Sequence, residues 1–114
     1  MSLNSWRIMW VMAIFDLPTQ TKRERKAYSI FRKTLLKNGF MQMQYSVYIR
    51  NMPTFNKAKA MVNMLGPCTP QKGVCSFIFL TDKQYGLTKN FYGRELANEK
   101  IPKKQEQLLL FGDF

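Results

Sequence analysis

The sequence predicts an α+β domain in the order strand, helix, strand, strand, helix, strand. Three observations carry that reading. Residues 6–15 and 74–80 are almost continuously apolar, as strands covered on both faces are. Residues 22–38 and 53–65 place apolar side chains at helical spacing. Turn chemistry punctuates the joins, with Leu17-Pro18, Gly39, Gly66-Pro67 and Gly73 at the boundaries. The 114 residues suit one domain, and a 46% hydrophobic content fills one core.

Each element follows from its residues. Residues 6–15 read Trp-Arg-Ile-Met-Trp-Val-Met-Ala-Ile-Phe and stop at Asp16-Leu17-Pro18. Thr21 and Glu24 have the spacing of a capping box that opens a helix, and Gly39 supplies its left-handed stop after Asn38. Ala27, Tyr28, Phe31 and Leu35 share one face of that helix. Lys22, Arg25, Lys26, Arg32, Lys33 and Lys37 spread over the other, with Ile30 and Leu36 on the borders. Residues 40–50 hold two short strands with a kink at 42–44, where Tyr45, Val47 and Ile49 alternate with Ser46, Tyr48 and Arg50. In the second helix Phe55, Ala58, Val62 and Leu65 fall at core spacing.

This order is the ferredoxin-like βαββαβ pattern, two split βαβ units with an antiparallel sheet and helices on one face. Both long apolar strands read as central. Something must then cover the second face of the sheet, and the simplest cover is the same sheet of a second copy, giving a homodimer through the sheet faces. Residues 87–92 read as a short fifth strand. Leu108, Leu109, Leu110 and Phe111 read as a C-terminal strand seeking an edge on this subunit or on a partner. Residues 1–92 form the ferredoxin-like domain, and 93–114 form a tail of that same domain.

The charge balance narrows function. Eighteen Lys and Arg face seven Asp and Glu, a net charge of +11. That surplus favours polyanionic partners, because phosphates paired with cations release counterions. Nucleic acid comes first, an anionic membrane surface second, and a merely soluble basic protein is the bland alternative. His is absent, which removes the usual general base and the commonest transition-metal ligand. Cys68 and Cys75 are too few for a four-ligand zinc site and read as free thiols in a reducing, cytoplasmic setting. No run reaches transmembrane length, and a signal-peptide reading of residues 6–15 fails on Arg7 and on the Asp-Leu-Pro ending.

Of the acidic residues, Asp16 stands apart because it closes an apolar central strand beside a basic helix start. One reading makes it a turn residue whose carboxylate accepts backbone N–H groups ahead of Pro18. The other makes it a metal ligand and catalytic carboxylate. Asp16 from two chains, near a two-fold axis, would share one Mg²⁺. Lys22, Arg23, Arg25 and Lys26 cluster at the helix N-terminus as candidate phosphate contacts, against the plainer reading of a solvated face. Trp6, Trp10, Phe15, Tyr45, Tyr48, Phe77 and Phe79 raise an RNA-stacking reading. No basic-Gly-aromatic run supports it, so interior packing is expected.

Several short pieces, in order, carry a resemblance. They are Ala13-Ile14-Phe15-Asp16-Leu17-Pro18-Thr19, Glu24-Arg25-Lys26-Ala27-Tyr28 with Phe31-Arg32-Lys33, Asn38-Gly39-Phe40, and Gln44-Tyr45-Ser46-Val47-Tyr48. Together they resemble the CRISPR-associated protein two family, the small dimeric subunit of the CRISPR spacer-integration complex. Thr81-Asp82-Lys83-Gln84 and Phe111-Gly112-Asp113 resemble the variant found with type II systems. The resemblance implies a ferredoxin-like homodimer that bridges two dimers of the CRISPR integrase, with a protospacer duplex lying across it. Asp16 would match the family's metal-binding aspartate, usually assigned Mg²⁺, and the basic helix start its DNA-facing region. The family is also described as metal-dependent endonucleases, on single-stranded RNA in some members and duplex DNA in others. The resemblance implies that integration uses it as a scaffold. A free-standing metal-dependent endoribonuclease and an RNA-binding ferredoxin-like module are the alternatives.

Overall fold

A computed structural model describes residues 8–93. They fall into two units that divide after Lys83, and the first holds the whole sheet. Strand β1 (Met9–Asp16) leads to helix α1 (Lys22–Lys37), the hairpin of β2 (Met41–Gln44) and β3 (Val47–Met52), helix α2 (Phe55–Leu65), and strand β4 (Val74–Thr81). The sheet order is β2-β3-β1-β4 with every pair antiparallel, so the fold is α+β and ferredoxin-like. First and last strands lie side by side, as the sequence implied.

Period-two alternation sorts β1 between two faces. Met9, Val11, Ala13 and Phe15 are buried beneath the helices, with Phe31 and Leu35 of α1 and Ala58 and Leu65 of α2. Burying each such large side chain stabilises the fold by roughly 1.5–3 kcal/mol. Tyr48 of β3 enters the same layer and stacks on Phe15 at 5.6 Å, but its hydroxyl is buried and finds no partner among the described residues.

The intervening residues of β1 point the other way. Strand register aligns Met41, Ile49, Met12 and Ile78 in one row across all four strands, flanked by a Val47–Ile14 pair and a Trp10–Leu80 pair. On this face Met41 (60%), Ile78 (39%) and Ile14 (38%) are exposed and Met12 is half-buried, whereas Ile49 is buried (3%). The sheet is therefore apolar on both sides while its helices occupy one.

Helix α1 begins and ends as its residues dictate. The Thr21 hydroxyl accepts from the Glu24 N–H at 3.1 Å, and the Glu24 carboxylate accepts from the Gln20 and Thr21 N–H groups at 2.9 Å. Gly39 takes φ +86° just past the C-cap, where an Arg50 guanidinium nitrogen donates to the Asn38 carbonyl.

Two sequence expectations change. Strand β4 is an edge strand, not a central one, because α2 returns the chain beyond β1. Its continuous apolar run reflects two duties: Cys75, Phe77 and Phe79 pack on the helix-side core, while Val74 and Ile78 sit on the open face. The expected fifth strand at residues 87–92 is not formed. Helix α3 (Asp82–Gly86) ends just before it, and the Leu87 and Thr88 N–H groups donate to the Gln84 and Tyr85 carbonyls, so local turns claim donors a ladder would need. The expected C-terminal strand, Leu108 to Phe111, lies outside the described residues.

Candidate nucleic-acid and metal site

One end of the sheet gathers most of the residues singled out from sequence. Asp16 closes β1 there, opposite Val74 of β4. The Phe15 N–H donates to the Ser46 carbonyl at 3.1 Å, which brings the β2–β3 turn alongside. Gly73 leans on the same corner with φ +92°. A Cβ there would fall 2.6 Å from the Asp16 carbonyl oxygen, so glycine is required for this approach.

Asp16 is exposed, and its alternation with Ile14 and Met12 puts it at the rim of the open face. Among the described residues its carboxylate accepts no hydrogen bond. A free, exposed carboxylate fits a hard cation such as Mg²⁺. However, no group of three or more metal-ligating side chains exists among the described residues.

The basic cluster divides. Arg25 is committed, since its guanidinium donates to the Thr19 and Gln20 carbonyls at 3.1 and 3.0 Å and braces the loop into α1. The helix N-terminus is largely self-satisfied by the capping box, which limits it as a phosphate grip. The Thr21 N–H bond, with the Gln20 N–H and the nearby Lys72 charge, holds the Glu24 carboxyl below its ordinary range. Lys22, Arg23 and Lys26 stay exposed. At 3.6 residues per turn, Lys22 and Lys26 continue into Lys33 and Lys37 as one outward stripe about 22 Å long.

The thiols are both free. Burial pushes that of Cys75 up to about 11, which leaves it inert as a nucleophile, and Cys68 is exposed. No helix among the described residues is long and apolar enough to cross a membrane.

The family model for CRISPR associated protein Cas2 matches residues 9–87, more than half of the chain. The chain belongs to the Cas2 family. A relative from Parvibaculum lavamentivorans, named CRISPR-associated endoribonuclease Cas2, is 43% identical over 103 residues, covering 90% of this chain and all of the relative. One of the same name from Flavobacterium psychrophilum is 38% identical over 106 residues, 93% of this chain and 92% of the relative. Another from Ligilactobacillus salivarius is 40% identical over 88 residues, 77% and 87% respectively.

The Cas2 match covers β1 through α3, including Asp16 and the basic stripe. Three members of this region were not singled out as site residues from sequence. The stripe's distal half, Lys33 and Lys37, was legible from its spacing of seven and eleven residues beyond Lys26. Arg50, which closes α1 from a neighbouring strand, had no local signal. Leu108, Leu109, Leu110 and Phe111 lie outside the described residues, so the structure places Asp16 and the helix cluster but not the tail.

Proposed function

We propose that this Cas2-family chain acts in the cytoplasm as a homodimeric scaffold of CRISPR adaptation. Two copies pair through their open sheet faces, hold duplex DNA along the basic stripes of α1, and bridge integrase dimers during spacer integration. The observation that carries the reading is the apolar row of Met41, Ile49, Met12 and Ile78 on the helix-free face, exposed at Met41, Ile78 and the adjoining Ile14, on a chain of net charge +11. Phosphate is poorly matched to such an apolar face, whereas a second identical face is well matched. DNA then belongs on the lysine side.

Pairing would bring two Asp16 carboxylates toward one axis, where they hold Mg²⁺. The ion would supply Lewis-acid polarisation of a phosphoryl oxygen and an acidified water. The chain itself contributes one carboxylate per copy and no His, little equipment for general acid–base work. Scaffolding therefore leads. Metal-dependent endonuclease activity on single-stranded RNA is the second reading, and the relatives' name, endoribonuclease, favours its RNA substrate. Leu108 to Phe111 are assigned to the integrase contact.

An integration assay with the partner integrase separates the two readings. Asp16→Ala is expected to leave the dimer and spacer insertion intact while abolishing any RNA cleavage. Loss of insertion with the dimer intact would contradict the scaffold role.

A further inference from the structure

We propose that Tyr28, Tyr45 and the cleft beside them form a subsite for one unpaired nucleotide, with its base stacked on Tyr45. The inference rests on the nucleic-acid reading above and adds to it a place for a base outside the duplex.

Tyr45 sits in the β2–β3 turn and is 73% exposed, unusual for a large aromatic ring with a well-formed core nearby. The ring is nonetheless held in place. It stacks on Tyr28 with centroids 5.8 Å apart and planes 25° from parallel. The Tyr28 hydroxyl donates to the Tyr45 carbonyl at 3.2 Å and lies 3.4 Å from the Ser46 hydroxyl. Tyr28 is itself fixed edge-on against Phe15 of the core, at 5.6 Å. An exposed aromatic face is thus mounted on a rigid support, which spares a stacking partner the entropy of ordering it.

Tyr28 also lines a cleft of about 600 Å³. Leu17, Pro18 and Pro70 give this cleft apolar walls, and the cations Arg23 and Lys72 line it together with the Glu24 carboxylate, leaving a net positive charge. Its size falls within the range of small-ligand sites. The Tyr45 ring matches a base, the cations of the cleft lined by its stacking partner Tyr28 match a phosphate, and stacking platforms of this kind bind single strands without reading sequence. Duplex bases cannot reach such a platform because they are already stacked. The subsite therefore serves an overhang, a frayed end or single-stranded RNA.

The test is fluorescence titration of the full chain with two DNA probes, a blunt duplex and the same duplex with single-stranded overhangs carrying 2-aminopurine. The wild type and Tyr45→Phe are expected to quench the overhang probe. Tyr45→Ala should lose the quenching and weaken overhang binding about tenfold, within the range for one stacked base. Its affinity for the blunt duplex and its melting temperature should stay within twofold and unchanged, respectively. Equal weakening on both probes, or retained quenching in Tyr45→Ala, would overturn the subsite. So would a change of oligomeric state in Tyr45→Ala, which would assign the ring to a subunit contact. Failure of the wild type to bind either probe would sink the nucleic-acid reading itself, a distinguishable result.

Discussion

Removing Lys26 and Lys33 together tests whether the outward stripe of α1 meets phosphate. The two residues are seven positions apart, two helical turns on the same face. Each lysine that neutralises a phosphate contributes about 0.9 to the slope of log affinity against log salt on duplex DNA. The double variant Lys26→Gln/Lys33→Gln should flatten that slope by about 1.8 per chain engaged. A fourfold rise in salt costs about 3.5-fold per contact, so over that range the variant should lose roughly twelvefold less affinity than the wild type. Arg25→Gln is the control. Its guanidinium is tied to the Thr19 and Gln20 carbonyls, so its loss should cost about 1 kcal/mol of stability and leave the slope unchanged. Anisotropy titrations across a salt series provide the readout. An unchanged slope in the double variant, or an equal flattening by Arg25→Gln, would refute the division of the basic cluster made above.

Other outcomes follow from the core and the caps. Tyr48→Phe removes a buried hydroxyl without a partner and should raise stability by about 1 kcal/mol, a rise of about 4–8 °C in Tm; a fall would mean that the hydroxyl is satisfied. Gly73→Ala forces a Cβ against the Asp16 carbonyl at positive φ and should destabilise by about 1–3 kcal/mol in denaturant titration. Glu24 has a lowered carboxyl pKa in the folded state, first through the Thr21 N–H. Its contribution is present above the unfolded pKa and is lost as pH falls through the folded one. Glu24→Gln keeps the capping acceptor but removes the titration, so it should flatten the acid limb of Tm against pH; an unaltered limb would contradict this.

The order of elements was legible because local signals agreed with one another. Thr21 and Glu24 form the capping box their spacing announced, and Gly39 takes the left-handed turn. The kink expected at residues 42–44 appears as a register shift between Gln42 and Gln44. The position of β4 in the sheet was not legible, because an apolar run describes how many faces are dry and not which strand lies beyond. A fifth strand was expected from Leu87 to Tyr92 on composition, yet the backbone donors at Leu87 and Thr88 close on Gln84 and Tyr85. The place of Asp16 at the end of β1 was legible from the apolar run that stops there. Arg25 and Lys26, adjacent in sequence and equal in charge, were indistinguishable until the carbonyls of the preceding loop showed which was already engaged.

The central claim is that the open sheet face is made for a second copy of this chain. Ile78 lies on the edge strand β4 at the end of the row through Met12, and is exposed enough to accept a charge without disturbing the core. Sedimentation equilibrium should find the wild type at twice the chain mass. Ile78→Glu, which sets two carboxylates in the paired faces, should sediment at the chain mass with an unchanged circular dichroism spectrum. A monomeric wild type, or an Ile78→Glu variant that dimerises as tightly as the wild type, would contradict the account.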